Sequence, residues 1–201
     1  MIHPHTELQY ISDKIGYGVV AKSLIKKGTI TWVLDKLDRE FTPKELLEMD
    51  DVYKEILETY TYRNNKGNHI LCWDNARFVN HSFKSNCFTT AYDFEIAVRD
   101  IHPGEQLTDD YGYLNISEPF EAVSEGTKRK VVYPDDLVNF YEEWDKLLLS
   151  GFKKIKSVDQ PMKHLIDKKL WKKIENIVDG KQEMDSILKC YYKEKVHSSK
   201  K

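Results

Sequence analysis

The chain has 201 residues, of which 40% are hydrophobic and 32% charged, enough for one compact domain with an appendage. No run of about 18 apolar residues is present, which excludes a membrane-spanning helix, and the opening Met-Ile-His-Pro-His-Thr-Glu lacks the basic and apolar regions of a secretory signal. The net charge of −2 is unevenly shared: residues 153–201 hold 14 Lys against 7 acidic groups, or +7, which leaves −9 on residues 1–152, a front that attracts basic peptides.

Short strands are predicted first, over residues 7–11, 18–21 and 28–34, separated by turns at Gly16, Gly18 and Lys27-Gly28. Thr42-Pro43-Lys44-Glu45 then opens a helix, with Thr42 as cap, Pro43 in the first turn and Glu45 closing a capping box. Its apolar positions run from Leu46 through Met49, Tyr53, Ile56 and Leu57 to Tyr60. After the break at residues 64–68, strands resume over 70–73, 89–98 and 106–109, with a turn at His102-Pro103-Gly104. Beyond Pro119 the pattern becomes helical. Leu137, Phe140, Tyr141, Trp144, Leu147 and Leu148 form one stripe ended by Gly151. A second stripe runs from Met162 to Val178, a third helix is expected near residues 183–192, and the last five residues are expected to fray.

Cys72, Cys87 and Cys190 are odd in number and far apart, so neither a disulfide framework nor a metal cluster is expected, and a reducing intracellular compartment, cytoplasmic or nuclear, fits best. The lysines of the last third lie on ordinary amphipathic helices, which fits a solvated face better than direct nucleic-acid binding.

Three segments carry chemistry. Residues 16–21 read Gly-Tyr-Gly-Val-Val-Ala, 76–87 read Ala-Arg-Phe-Val-Asn-His-Ser-Phe-Lys-Ser-Asn-Cys, and 104–112 read Gly-Glu-Gln-Leu-Thr-Asp-Asp-Tyr-Gly. Singly they are a tight turn, a hydrogen-bonded loop and a strand end. In this order, over about the first 115 residues, the chain resembles the SET-domain protein lysine methyltransferases.

The resemblance implies a mainly β fold with α: a SET-domain β-sheet pseudoknot with an inserted helix and a C-terminal α-helical extension, divided as residues 1–118 and 119–201. It implies S-adenosylmethionine as cofactor, S-adenosylhomocysteine as product, and a lysine of a basic protein, histone or ribosomal in type, as acceptor. The alternative is a SET-like module that binds peptides without turnover. Carried over residue by residue, Gly16, Tyr17 and Gly18 hold the methionine part of the cofactor through the main chain, and Asn80 and His81 bind its amino end and adenine. Arg77 occupies the family's arginine position, with a structural role as the alternative. Tyr111 orients the lysine nitrogen and the methyl group, and also touches cofactor. Tyr60, Tyr62 and Tyr113 are candidates for the aromatic lysine channel.

The charges explain such a site. Deprotonating a free lysine at pH 7 costs roughly 4.6 kcal/mol. One unit charge about 4 Å away is worth about 4 kcal/mol at an effective dielectric near 20. A sulfonium can therefore supply much of the shift, and no dedicated base is obvious in the sequence.

The chain also departs from the pattern. Phe83-Lys84-Ser85 stands where many members have Cys-x-Pro, and the zinc-binding cysteine cluster that closes the channel in many members is missing. The stripe of Phe140, Tyr141 and Trp144 is the expected replacement lid. Asp109 and Thr89 occupy positions where ring hydroxyls limit product multiplicity, so di- or trimethylation is allowed. A carboxylate beside the amine would raise its pKa, so Asp109 is expected to turn away.

Overall fold

The computed structural model describes residues 1–193. Strand β1 (Thr6–Ser12) and strand β2 (Gly16–Ala21) form an antiparallel hairpin with Leu8 opposite Val19. Val19, Val20 and Ala21 are buried while Glu7, Gln9 and Tyr10 face outward. Gly16 takes a φ of +78°, which the turn needs and which a side chain would strain.

Strand β3 (Ile30–Val33) is buried along its whole length. Strand β4 (Arg39–Phe41) follows, and then the helical segment. The capping box of Thr42 and Glu45 forms as expected, and it starts helix α1 (Pro43–Leu47). The single predicted helix is in fact two. Asp50 adopts an extended ψ of 151°, which interrupts the ladder before helix α2 (Asp51–Tyr60). Strand β5 (Thr61–Arg63), which periodicity does not reveal, continues directly from α2, and it pairs with strand β6 (His69–Leu71), which also pairs with β4.

Strand β7 (Asn80–His81) is very short. The predicted strand over 89–98 is a hairpin of strand β8 (Cys87–Thr89) and strand β9 (Phe94–Ala97), with Asp93 at φ +58° in its turn. β9 lies between β8 and β3. Strand β10 (Thr108–Asp109) then returns beside β7 in parallel, with Thr108 opposite Asn80 and Asp109 opposite His81. The chain continues through strand β11 (Phe120–Glu121) and strand β12 (Val131–Val132), which form a small antiparallel pair.

Helix α3 (Asp136–Phe152) carries the first predicted stripe, and its Leu137, Trp144, Leu148 and Phe152 pack with Ile30, Phe94 and Ile96 in one core. Gly151 does not end the helix. It lies in the last turn, where a Cβ would sit 3.3 Å from the carbonyl oxygen of Ala97, so the glycine permits the close approach of α3 to β9. The second stripe starts later than expected. Met162 precedes and Leu165 ends a separate short 3-10 turn, Lys163–Leu165, and Asp167 caps helix α4 (Lys168–Val178) by accepting from the N–H groups of Lys169 and Leu170. The expected third helix is one short turn, Ile187–Cys190. The chain end expected to fray lies outside the described residues. Among the described residues, no helix is long and apolar enough to cross a membrane.

Candidate active site

The parallel pairing of β7 with β10 joins segments nearly thirty residues apart in sequence. Asn86 secures it: its side chain accepts from the N–H of Thr108 at 2.9 Å and donates to the carbonyl of Gln106 at 2.8 Å. The Ser82 N–H donates to the carbonyl of Asp109 at 2.8 Å. After Asp109 the chain enters a tight turn over Tyr111–Tyr113, capped by the Asp110 carboxylate on the N–H of Gly112 at 3.0 Å.

That turn directs the Tyr111 N–H to Nδ1 of His81 at 3.1 Å and its hydroxyl to the Val79 carbonyl at 2.7 Å. Burial is the main cause that lowers the pKa of His81, so the ring is neutral at pH 7. With Nδ1 accepting, the proton sits on Nε2, which is buried without a partner. Phe83, Tyr111 and Phe120 meet the imidazole edge-on, at centroid distances of 4.5, 5.4 and 5.6 Å. Burial, then the charge of Asp109, pushes the Tyr111 phenol up, which keeps it neutral.

The segment beyond Pro119 holds this arrangement in place. The Glu125 carboxylate accepts from the Ser82 hydroxyl and the Phe83 N–H, both at 2.8 Å. Arg129 pairs with the buried Asp110 and Asp136. The rings of Phe83 and Phe140 lie 4.7 and 4.5 Å from its guanidinium carbon.

A cavity of about 530 Å³ opens beside Tyr111. Tyr60, Tyr62, Arg77 and Tyr111, all singled out from the sequence, line it with Trp32, Glu95, Asp109 and Phe120. Tyr62 meets Trp32 edge-on at 5.9 Å. Arg77 donates to the carbonyl of Trp73 and lies over the ring of Phe78. Tyr113 is not in this wall. It is 1% exposed, donates its hydroxyl to the carbonyl of Cys87 at 3.0 Å, and borders a second pocket of about 200 Å³ together with Thr89.

Gly16, Tyr17, Gly18, Asn80 and His81 do not line the larger cavity. Gly18 serves a packing need: a Cβ there would lie 2.4 Å from the Gln106 side chain and 2.7 Å from that of Asn80. The Asn80 side-chain amide is engaged, donating to the Tyr17 carbonyl and to Gln106, each at 3.0 Å. Tyr17 is exposed, and its ring reaches Phe78, which in turn touches Tyr60.

Two expectations need correction. Phe140, Tyr141 and Trp144 do not line the cavity; Phe140 and Trp144 pack around Arg129 and in the core with Phe88 and Tyr113, and Tyr141 lies half-buried at the edge of that core, because α3 lies on β9. The ring that reaches over both His81 and Tyr111 is Phe120, 6.1 Å from the latter. Asp109 does not turn away: it lines the cavity, 6% exposed, with Oδ1 unpartnered.

Sequence reasoning also missed Glu95, which is 9% exposed and lines the cavity beside Asp109. Its signal was present: one carboxylate inside the apolar run Phe94-Glu95-Ile96-Ala97-Val98. Phe120 gave no such signal, since one aromatic after Pro119 has no period to mark it.

No curated protein matches the chain. The family model of the SET domain matches residues 16–112, a span that opens at the Gly16-Tyr17-Gly18 turn and closes just after Tyr111, and over that span the chain is similar to the SET domain.

Proposed function

We propose that this protein is an S-adenosylmethionine-dependent protein-lysine N-methyltransferase acting on a basic protein of histone or ribosomal type. The observation that carries the reading is the junction of Tyr111 with His81 and Val79 at the edge of an aromatic-walled cavity. The threaded SET arrangement is part of the proposal, and the parallel β7–β10 pairing supports it. So is the division into a catalytic domain over residues 1–118 and a helical extension over 119–201.

The residues fit the cofactor. The Nε2–H of His81 is a buried donor without an acceptor, the kind of group a bound ligand satisfies. The backbone at Gly16 is open, with nothing within 4 Å of where a Cβ would be. Gly16, Tyr17, Asn80 and His81 would hold it, Asn80 through its main chain or side-chain oxygen because its side-chain NH2 is spent on Tyr17 and Gln106. When bound, the cofactor supplies a methyl group on a sulfonium whose charge lowers the pKa of a neighbouring amine.

The chain's own residues bind, orient and exclude water. Tyr111 keeps its proton on the Val79 carbonyl, which leaves the oxygen lone pairs to accept from an amine N–H. Trp32, Tyr60 and Tyr62 supply apolar walls for a four-carbon stem. Phe120 shields the junction. Orientation, rather than a covalent step by the protein, is the larger contribution.

The test is mass spectrometry of basic proteins incubated with the enzyme and isotope-labelled cofactor, beside Tyr111→Phe. Methyl increments on lysine, lost in the variant while cofactor binding persists, are expected. Cofactor binding with no methylation of any basic protein would favour a peptide-binding module instead.

A further inference from the structure

Glu95 and Asp109 are two carboxyl groups in one buried wall, brought together because β9 and β10 both flank β8. Each is more than nine-tenths buried, both line the same cavity, and burial, then the charge of Asp109, raises the pKa of Glu95. Oδ1 of Asp109 has no partner. Such an arrangement is costly, because two carboxylates this close in a dry wall cannot both ionise.

Among the described residues, the cation that acts on Glu95 is the N-terminal ammonium, and it is held by the Asp35 carboxylate and the Val33 carbonyl. The phenols of Tyr62, Tyr111 and Tyr113 and the thiols of Cys72 and Cys87 are all held neutral by burial. Arg63 and Arg77 share the cavity, but Arg63 is held on the carbonyls of Asn115 and Ile116, and Arg77 on that of Trp73. Asp110 is spent on Arg129. A pair holding one proton therefore keeps one negative charge with no ion-pair partner of its own, in a cavity wall that includes the rings of Trp32, Tyr60, Tyr62 and Phe120. Asp109 immediately precedes the Asp110-Tyr111 turn, so this charge lies two residues from the phenol of the proposed site.

We propose that the Glu95–Asp109 pair is the receptor for a primary ammonium group and accepts its proton on the Asp109 carboxyl. The inference rests on the methyltransferase reading, in which that ammonium is the substrate lysine. The step balances: one N–H bond of the ammonium breaks, one O–H bond forms on Asp109, and the electron pair stays on nitrogen. The ammonium and singly protonated pair become a neutral amine and a doubly protonated pair. Charge is removed from a dry cavity, so the transfer relieves desolvation on both sides. A carboxylate beside a lysine, which in water would only raise the amine's pKa, becomes its acceptor once a second carboxyl holds the negative charge at high cost.

The test uses the full chain without cofactor. The probe is n-butylammonium chloride, compared with n-butanol and butyltrimethylammonium, and followed by NMR on amides 93–97 and 108–111. The proposal expects saturable shifts with butylammonium and at least tenfold weaker binding of butanol, a preference lost in Asp109→Asn and reduced in Glu95→Gln. With isotope-labelled aspartate, the Asp109 carboxyl carbon moves toward its protonated position with butylammonium and not with butyltrimethylammonium, which has no N–H to give. Equal binding of ammonium and alcohol, no binding of either, or an unmoved carboxyl carbon would overturn the proposal. Calorimetry with S-adenosylmethionine on the same sample reads the methyltransferase reading separately. Cofactor binding without ammonium selectivity sinks only this inference, and the reverse sinks only the assignment of the reaction.

Discussion

The backbone N–H of Tyr111 donates to Nδ1 of His81 at 3.1 Å. This one bond ties the Asn-His segment to the Asp-Tyr segment, fixes the imidazole tautomer and leaves Nε2–H free for a ligand. Replacing His81 by Ala removes the acceptor and the donor together. Cofactor affinity measured by calorimetry is expected to fall at least tenfold. Stability is expected to drop by about 1–3 kcal/mol, because the Tyr111 N–H is left unpaired.

The phenol of Tyr111 makes a different contribution. Its hydroxyl meets only the Val79 carbonyl, so Tyr111→Phe should cost about 1 kcal/mol of stability in denaturant titration. Turnover should fall by roughly 100-fold or more, with cofactor affinity little changed, since in the proposed methyltransferase this group orients the reacting nitrogen. A variant that retained most of its turnover would remove Tyr111 from the mechanism.

Arg129 binds two buried carboxylates, Asp110 and Asp136. Arg129→Met leaves both uncompensated and is expected to destabilise the fold by about 3–5 kcal/mol. Adding Asp110→Asn to that variant should recover part of the loss. Equal stability of wild type and Arg129→Met in urea would show that the helical segment is not anchored to the Tyr111 turn through this ion pair.

Phe120 is half-buried and touches His81 and Tyr111 through its ring alone. Phe120→Ala should weaken cofactor binding about tenfold while costing little stability, on the order of 1 kcal/mol for two aromatic contacts. An unchanged dissociation constant would return the question of what covers the site to other residues.

Stability should also depend on pH through the acid pair. Burial pushes Asp109 up to about 7 and raises Glu95 as well. The folded state then binds more protons than the unfolded state from about pH 4 upward. The stabilising contribution is full below the unfolded carboxyl pKa and is lost as pH rises through the folded value near 7. His3, held at about 4 by burial, acts the other way and gains stability as pH rises from about 4 to 6.5. The difference between wild type and Asp109→Asn isolates the pair. The variant should be the more stable above pH 7, by on the order of a few kcal/mol, and the gap should close toward pH 4. A constant gap in chemical denaturation across that range would contradict the raised carboxyl.

Local chemistry was legible in the chain. Thr42 and Glu45 form a capping box because the contacts lie within four residues, and the α3 stripe follows from a 3.6-residue period. The break at Asp50 was not legible, because apolar spacing continues across it and only the backbone of Asp50 interrupts the helix. β7 and β10, two residues each, are too short to show any period.

By itself the sequence determined the order of the Gly-Tyr-Gly, Asn-His and Asp-Tyr segments that resemble the SET domain, and the scattering of its three cysteines. Only the tertiary structure decided that Phe120 rather than the α3 aromatics lies against Tyr111, that Tyr113 is core, and that Glu95 meets Asp109 in the cavity wall. The physical reason is range: caps, turns and amphipathic stripes are set by neighbours a few residues apart. Which side chains share a wall is set by strand pairings and helix packing between segments far apart in the chain, and no local pattern encodes them.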